Sequence, residues 1–110
     1  MDVIAERHLT VLYPDGELVP VCLRIWRPKP HQKGDYVCAV QAEGLRLWQG
    51  PKEFFGVDSF QALTIVIRFL YEMLSTEVER GAVLHWEGGK EAITLSDLFC
   101  LHLPPQEKDN

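Results

Sequence analysis

The sequence predicts an α+β fold in which one long helix packs across one face of an antiparallel β-meander of five to six strands. Strands come first along the chain, then a single helix, then a hairpin, and this segregated order argues against repeated βαβ units. The 110 residues are 46% hydrophobic and 25% charged, which is typical of one globular domain. We therefore predict a single domain over residues 1–103. The tail over residues 104–110 is proline, charge and amide with nothing to bury, so we expect it to be disordered.

The sequence predicts a hairpin of two long strands, Val3 to Tyr13 and Glu17 to Arg27. Pro14 and Asp15 favour a type I turn between them, and Gly16 then takes the left-handed position of a three-residue loop. Apolar residues fall on odd positions in both strands, so odd positions must face odd positions. The pairs that this register predicts are Val11 with Val19 and Leu9 with Val21 on the apolar face, and Glu6 with Arg24 and His8 with Cys22 on the outer face.

Shorter strands follow the hairpin on both sides of the helix. A loop over Pro28 to Gly34 leads to the strands Asp35–Ala42 and Leu45–Gln49, and Gly50-Pro51 ends this four-stranded meander. After the helix, the turn Glu87-Gly88-Gly89-Lys90 joins a strand over Ala82–Trp86 to a short strand near Glu91–Thr94. Ser96 to Phe99 is predicted to form one helical turn.

Val57 to Arg80 is predicted to be one helix, capped by Asp58 and Gln61 at its start and by Gly81 at its end. At 100° per residue its apolar side chains fill an arc of roughly 220°, about twice what a helix on one sheet needs. A subunit partner, a ligand or the C-terminal segment must cover the surplus. We assign a possible dimer face to Ile65, Phe69 and Met73.

Charge and cysteine usage exclude several classes of protein. The opening residues do not resemble a signal peptide, and Arg68 and Glu72 interrupt the apolar run of the helix, so we expect a cytoplasmic protein without a membrane span. Residues 1–52 carry a net charge of +1 and residues 53–110 a net charge of −6, which disfavours nucleic acid as a partner. Three cysteines without a C-x-x-C pair are interpreted as reduced thiols.

No motif for nucleotide binding, a nucleophile elbow or zinc-dependent hydrolysis occurs, so we expect no enzyme, no cofactor and no metal site. The best catalytic candidate is the outer-face trio Glu6, His8 and Cys22, because a thiol needs a base and the base needs an orienting carboxylate. A polar strand face with an inert cysteine is the favoured interpretation of the same residues. Cys100 and His102 are two positions apart and lack a second pair of ligand residues, and His85 is only a distant third. We therefore predict no metal site from these residues.

One basic segment, residues 24–33, has four fixed positive charges, a tryptophan and no acid. It indicates either a site for an anionic ligand or an edge that docks an acidic protein. The competing interpretation is a solvated loop that is stiffened by prolines. Two phenylalanines in the segment before the helix are large apolar residues at an expected surface position. The candidate binding residues are therefore Arg24, Trp26, Arg27, Lys29, Lys33, Phe54 and Phe55.

Three stretches, Ile4-Ala5-Glu6-Arg7, residues 34–38 (GDYVC) and residues 56–63 (GVDSFQAL), resemble a family of short bacterial proteins known only as a domain of unknown function. The similarity spans about residues 4 to 99. The resemblance implies a bacterial cytosolic origin and a compact single domain, and it carries no site residue to this chain.

The leading functional hypothesis is a small interaction module, not an enzyme, that forms a homodimer through the long helix or binds another protein. The alternatives are an acidic binding protein that neutralises a basic partner, as immunity proteins do, and a small enzyme that uses Cys22 and His8. The acidic C-terminal half motivates the first alternative, and the outer-face trio motivates the second.

Overall fold

The computed structural model describes residues 2–48 and 50–102, and these form seven strands and two α-helices. The elements are β1 Val3–Leu12, β2 Leu18–Trp26, β3 Lys29–Pro30, β4 Tyr36–Glu43, β5 Lys52–Gly56, α1 Ser59–Glu79, β6 Val83–Trp86, β7 Ala92–Ile93 and α2 Leu95–Leu98. All the strand pairs are antiparallel, and α1 packs on β4 and β5. The predicted α+β class is therefore confirmed.

The sheet is a four-stranded meander that is extended at one side. Within the sheet, neighbouring strands follow the order β5, β4, β2, β1, β6 and β7. The short β3 pairs with β4 beside the end of β2. Because each neighbour is antiparallel, β5 and β6 run in the same direction although three strands separate them. The helix α1 connects these two strands and crosses the sheet to do so, which leaves the opposite face of the sheet open.

The hairpin has the predicted register. Val11 lies opposite Val19, and His8 lies opposite Cys22. The Tyr13 amide donates to the Glu17 carbonyl at 2.9 Å, and Gly16 takes a φ of +90°. The inner-face residues near the turn and along β2 are buried in the core, so burial and turn geometry select the same register; these residues are Leu9, Val11, Val21, Leu23 and Ile25.

The predicted fourth strand over Leu45–Gln49 is wrong for its described residues; Gln49 lies outside them. Leu45 N–H donates to the Ala42 carbonyl at 3.3 Å and Trp48 N–H to the Leu45 carbonyl at 3.1 Å, so the chain makes successive turns here. These turns bury Leu45 and Trp48, three positions apart, on the same side. The meander is completed instead by β5, which follows Gly50-Pro51 rather than ending before it.

The loop predicted over Pro28 to Gly34 also contains more structure than expected. Its second and third residues form β3, and Gln32–Gly34 form a 3-10 turn in which Lys33 and Gly34 both have positive φ. The addition of β3 raises the strand number to seven in the described part of the chain, against the five to six predicted.

The ends of α1 follow the predicted signals. The Asp58 carboxylate accepts a hydrogen bond from the Gln61 amide at 2.7 Å, while the Gln61 side chain accepts one from the Val57 amide at 2.8 Å. At the other end Gly81 has a φ of +101°, and the Ala82 amide donates to the Glu77 carbonyl at 3.0 Å, as in a Schellman motif. The helix proper is three residues shorter than predicted because both predicted ends included capping residues.

Much of the apolar surplus of α1 is covered from within the chain. The Phe69 ring lies 5.4 Å from the Trp48 ring and 4.6 Å from the Phe54 ring, and the Tyr71 ring meets Phe99 at 5.3 Å. The turn after β4, the edge strand β5 and the segment after α2 therefore supply the cover. No helix of the described residues is both long enough and apolar enough to cross a membrane.

Candidate functional site

The outer face of the sheet carries a polar cluster at the centre of the β1–β2 hairpin. Because side chains alternate along a strand, Glu6 and His8 of β1 lie on the same face as Cys22 and Arg24 of β2. The pairing of β2 with β4 adds Glu43 opposite Cys22. The sequence register alone thus assembles the cluster on the face that α1 leaves open.

Three ligand-type side chains in this cluster meet closely. The His8 Nε2 atom lies 2.6 Å from Glu6 Oε1 and 3.8 Å from Cys22 Sγ. Within the described residues, Glu6, His8 and Cys22 form a group in which all the ligand atoms lie within 4.8 Å of one another. The predicted trio is therefore brought together, whereas Cys100, His102 and His85 do not form such a group in this part of the chain.

Charged neighbours surround the trio. Arg24 Nη1 lies 2.8 Å from Glu43 Oε2, and Arg24 Nε lies 3.5 Å from Glu6 Oε2. On the other side, Glu87 Oε2 lies 3.6 Å from His8 Nδ1. Each member of the histidine–carboxylate pair therefore has a second charged partner on its far side.

The electrostatics of the cluster do not activate the thiol. Burial raises the pKa of Cys22, and this effect outweighs the opposing influence of the Arg24 guanidinium. The hydrogen bond from His8 is the main reason that the pKa of Glu6 is lowered, with Arg24 contributing further. Cys22 is therefore a protonated thiol at neutral pH, which argues against its use as a free nucleophile.

The predicted basic segment does not form one continuous positive surface. Arg24 pairs with acids in the outer-face cluster, and Arg27 Nε lies 3.1 Å from Asp2. Trp26 is half-buried and lines a hollow beside β5, while Lys29 and Lys33 are exposed. Two of the four fixed positive charges are thus neutralised within the chain, and the arrangement is a poor clamp for an anion.

Phe54 and Phe55 were expected on a surface link, but they alternate along β5. Phe54 faces inward against Phe69, whereas Phe55 is 49% exposed with its ring 5.0 Å from the His31 ring. The two candidate binding residues therefore lie on opposite faces of the sheet.

The residues that we assigned to a dimer face are partly covered. Phe69 lies between Trp48 and Phe54, Met73 packs against the core, and Ile65 is half-buried. The more exposed apolar side chains of α1 are elsewhere, with Phe60 at 77% and Ile67 at 42% exposure.

Phe60, Leu63 and Ile67 are spaced along one flank of α1, which we call the α1 flank. Phe60 and Leu63 line one hollow, and Ile67 lines a second one of about 240 Å³. The apolar walls of the second hollow also come from both hairpin strands and from the C-terminal segment: Ala5, Leu23, Ile25, Leu98 and Phe99. The α1 flank therefore carries the two most exposed large apolar side chains of the helix, Phe60 and Ile67.

The second hollow lies beside an unpaired part of β1. The strand β6 pairs with β1 only from Leu9 to Leu12, so Val3–His8 have no strand partner on that side among the described residues. The sequence did not indicate this free edge, because the length over which β1 and β6 pair depends on where the helix returns the chain to the sheet.

The fold and these surfaces define the class of the protein: an α+β fold with one long helix on an open antiparallel sheet. A family model described as a domain of unknown function (DUF6968) matches residues 5–96, so the chain belongs to that family and the predicted resemblance to a family of unknown function is confirmed. No curated protein and no solved structure matched the chain.

Proposed function

We propose that this protein is an interaction module that forms a homodimer through the free edge of β1 and the α1 flank. The observation that carries the proposal concerns the segment Val3–His8, which has no strand partner on the side away from β2 among the described residues. Within this segment, Ala5 and Arg7 line a hollow together with Ile67, an exposed apolar residue of α1. An unpaired edge offers backbone hydrogen bonds to an added strand, and adjacent apolar residues supply the burial that stabilises the addition.

The apolar side chains provide a useful driving force. Complete burial of a large apolar side chain contributes about 1.5–3 kcal/mol, so burying the exposed fractions of Phe60 and Ile67 would contribute about 2–4 kcal/mol per protomer. Backbone pairing along the edge would add to this amount. A bulge between Val3 and Ala5 limits the regular edge to Ala5–His8, so the pairing is short.

Self-complementarity favours a second copy of the chain as the occupant. The edge segment Ala5–His8 can pair antiparallel with the same segment of a second copy, because a two-fold rotation reverses the strand direction. A two-fold dimer buries the same patch on both copies, so every favourable contact occurs twice.

Light scattering across a hundredfold range of concentration tests this proposal with a matched pair of variants. The wild type should approach twice 12.6 kDa, and Ile67→Asp should remain near 12.6 kDa because it places a charge in the interface. Val78→Asp is the control, since Val78 lies on the same helix with a similar exposure of 38%. A wild type that stays monomeric, or a Val78→Asp variant that dissociates equally, would refute the proposed interface.

The two alternative functions have less support. Among the acids of the C-terminal half, Glu72 pairs with Arg68 and Glu77 is buried, so less negative charge is free for a basic partner. A small enzyme using Cys22 and His8 would need a thiolate, and the raised pKa of Cys22 opposes one.

A further inference from the structure

We infer that Glu6, His8 and Cys22 form a binding site for a zinc-class transition metal ion on the open face of the sheet. The site would use one carboxylate oxygen, one imidazole nitrogen and one thiolate sulfur. This inference departs from the expectation of no metal, and it is independent of the proposed dimer.

The distances suit a tetrahedral ion after a small adjustment. Zinc lies about 2.0–2.3 Å from nitrogen, oxygen and sulfur ligands, so ligand atoms around it are separated by about 3.3–3.8 Å. The 3.8 Å between His8 Nε2 and Cys22 Sγ agrees with this separation. The 2.6 Å between His8 Nε2 and Glu6 Oε1 is a hydrogen bond, and the ion would replace its proton and widen the pair by less than about 1 Å. That proton would pass to solvent, and the neutral imidazole would carry its single proton on Nδ1.

The outer partners of the ligands support a site rather than a chance cluster. Glu6 directs Oε1 toward His8 while its Oε2 lies 3.5 Å from Arg24 Nε, and His8 directs Nε2 inward while its Nδ1 lies 3.6 Å from Glu87 Oε2. A carboxylate that accepts a hydrogen bond from the second nitrogen of a metal-binding histidine fixes the ring orientation and raises the basicity of the ligand, and Glu87 would have to move only about 0.5 Å closer to do so. Arg24 also pairs with Glu43, so it does not depend on Glu6 as its only acid.

The donor set selects the class of ion. A thiolate with an imidazole favours Zn²⁺ or Co²⁺, whereas Mg²⁺ and Ca²⁺ prefer oxygen ligands alone. Binding requires that Cys22 release its thiol proton to solvent when the sulfur–metal bond forms. Three protein ligands leave a fourth coordination position of the ion open. The adjacent surface hollow, whose lining includes Thr10, Pro20 and Glu43, would give solvent access to this position.

Titration of the untagged full chain with Co²⁺ under reducing conditions tests the inference directly. One equivalent of Co²⁺ should produce a thiolate-to-cobalt charge-transfer band and the visible bands of a tetrahedral ion, and Zn²⁺ should displace it. The Cys22→Ala variant should lose the charge-transfer band. Cys100→Ser is the matched control and should keep it, because Cys100 is an exposed thiol outside the cluster.

Glu87→Gln gives a graded test that does not remove a ligand. It should weaken Co²⁺ affinity by up to about 10-fold while keeping the same spectrum, because Glu87 lies 3.6 Å from His8 Nδ1 as a charged neighbour rather than as a hydrogen-bond acceptor. Ile67→Asp should bind Co²⁺ as the wild type does, which separates this site from the dimer interface. Absence of the charge-transfer band from the wild type at a tenfold excess of Co²⁺ would overturn the inference. So would a band that survives in Cys22→Ala and is lost in Cys100→Ser.

Discussion

Replacing Tyr13 by Phe should destabilise the protein through a buried hydrogen bond that links the hairpin to the end of α1. The Tyr13 hydroxyl donates to the Glu77 carboxylate and accepts a hydrogen bond from the Arg46 amide at 3.0 Å. Tyr13 is 6% exposed and Glu77 is 3% exposed, so water cannot readily replace the lost hydroxyl. The Arg46 guanidinium, 3.9 Å from the centroid of the Tyr13 ring, would keep its contact with a phenyl ring.

The expected loss is about 2–3 kcal/mol at neutral pH. Hydrogen bonds to charged groups contribute about 1.5–3 kcal/mol, and a buried carboxylate that loses its partner incurs a desolvation penalty as well. Adding Glu77→Met to Tyr13→Phe should recover most of the loss, since an apolar pair leaves no buried charge unsatisfied. Tyr71→Phe is the matched control, because the Tyr71 ring packs on Phe99 and keeps that contact without its hydroxyl.

The pH dependence of this loss gives a sharper test. Burial, reinforced by the Glu77 carboxylate, raises the pKa of Tyr13 to about 12, against 10.0 for an unperturbed tyrosine. The folded state therefore holds its proton after the unfolded state has lost it, so this contribution is complete below pH 10 and disappears between pH 10 and about 12. One proton changes the free energy of unfolding by about 1.4 kcal/mol per pH unit in this window.

Urea denaturation of the wild type and Tyr13→Phe between pH 8 and 11, at fixed protein concentration, measures both effects. The stability difference between the two proteins should be largest at pH 8 and should shrink above pH 10. A difference below 0.5 kcal/mol at pH 8 would contradict the role given to the hydroxyl. A difference that stays constant up to pH 11 would contradict the raised pKa.

Two further predictions concern the start of α1. Asp58→Ala removes the side chain that caps the helix and should lower the free energy of unfolding by about 0.5–2 kcal/mol, whereas Asp58→Asn should cost much less. Gly56→Ala should destabilise the protein by about 1–3 kcal/mol, because the added Cβ would lie 2.4 Å from the Ala62 amide nitrogen. Urea denaturation measures each change. Wild-type stability in Asp58→Ala would show that the cap is unimportant, and wild-type stability in Gly56→Ala would show that the backbone moves apart freely.

The elements with strong local signals were predictable from sequence. The β1–β2 hairpin was predicted in its correct register because the turn residues and the odd-numbered apolar pattern require the same pairing. The ends of α1 were predicted because Asp58 and Gly81 act through hydrogen bonds within a few residues of themselves. In both places neighbouring residues alone determine the backbone conformation.

The errors occurred where distant contacts determine the conformation. Leu45 and Leu47 alternate as in a strand, yet the chain turns there because Leu45 and Trp48 both enter the core beneath α1. The true edge strand pairs Phe54 with Cys38, a contact that no local pattern indicates.

The candidate sites show the same division. The trio Glu6, His8 and Cys22 was predicted because strand register brings these residues together, but the partner of His8, Glu87, lies in a turn reached only after the helix. Glu77 lies near the negative end of the α1 dipole, where a negative charge is disfavoured, and only the structure shows that the Tyr13 hydroxyl donates a hydrogen bond to it.

The N-terminal half of β1 contributes to both proposed sites, and its alternation separates them. Glu6 and His8 point to the open face of the sheet, whereas Ala5 lines the hollow beneath the α1 flank. The dimer would use the backbone edge between these faces, and the metal ion would use side chains on one of them. Substitutions at Ile67 and at Cys22 should therefore act independently. Loss of Co²⁺ affinity in the monomeric Ile67→Asp variant would instead show that strand pairing orders Glu6 and His8, and that the two sites are energetically coupled through β1.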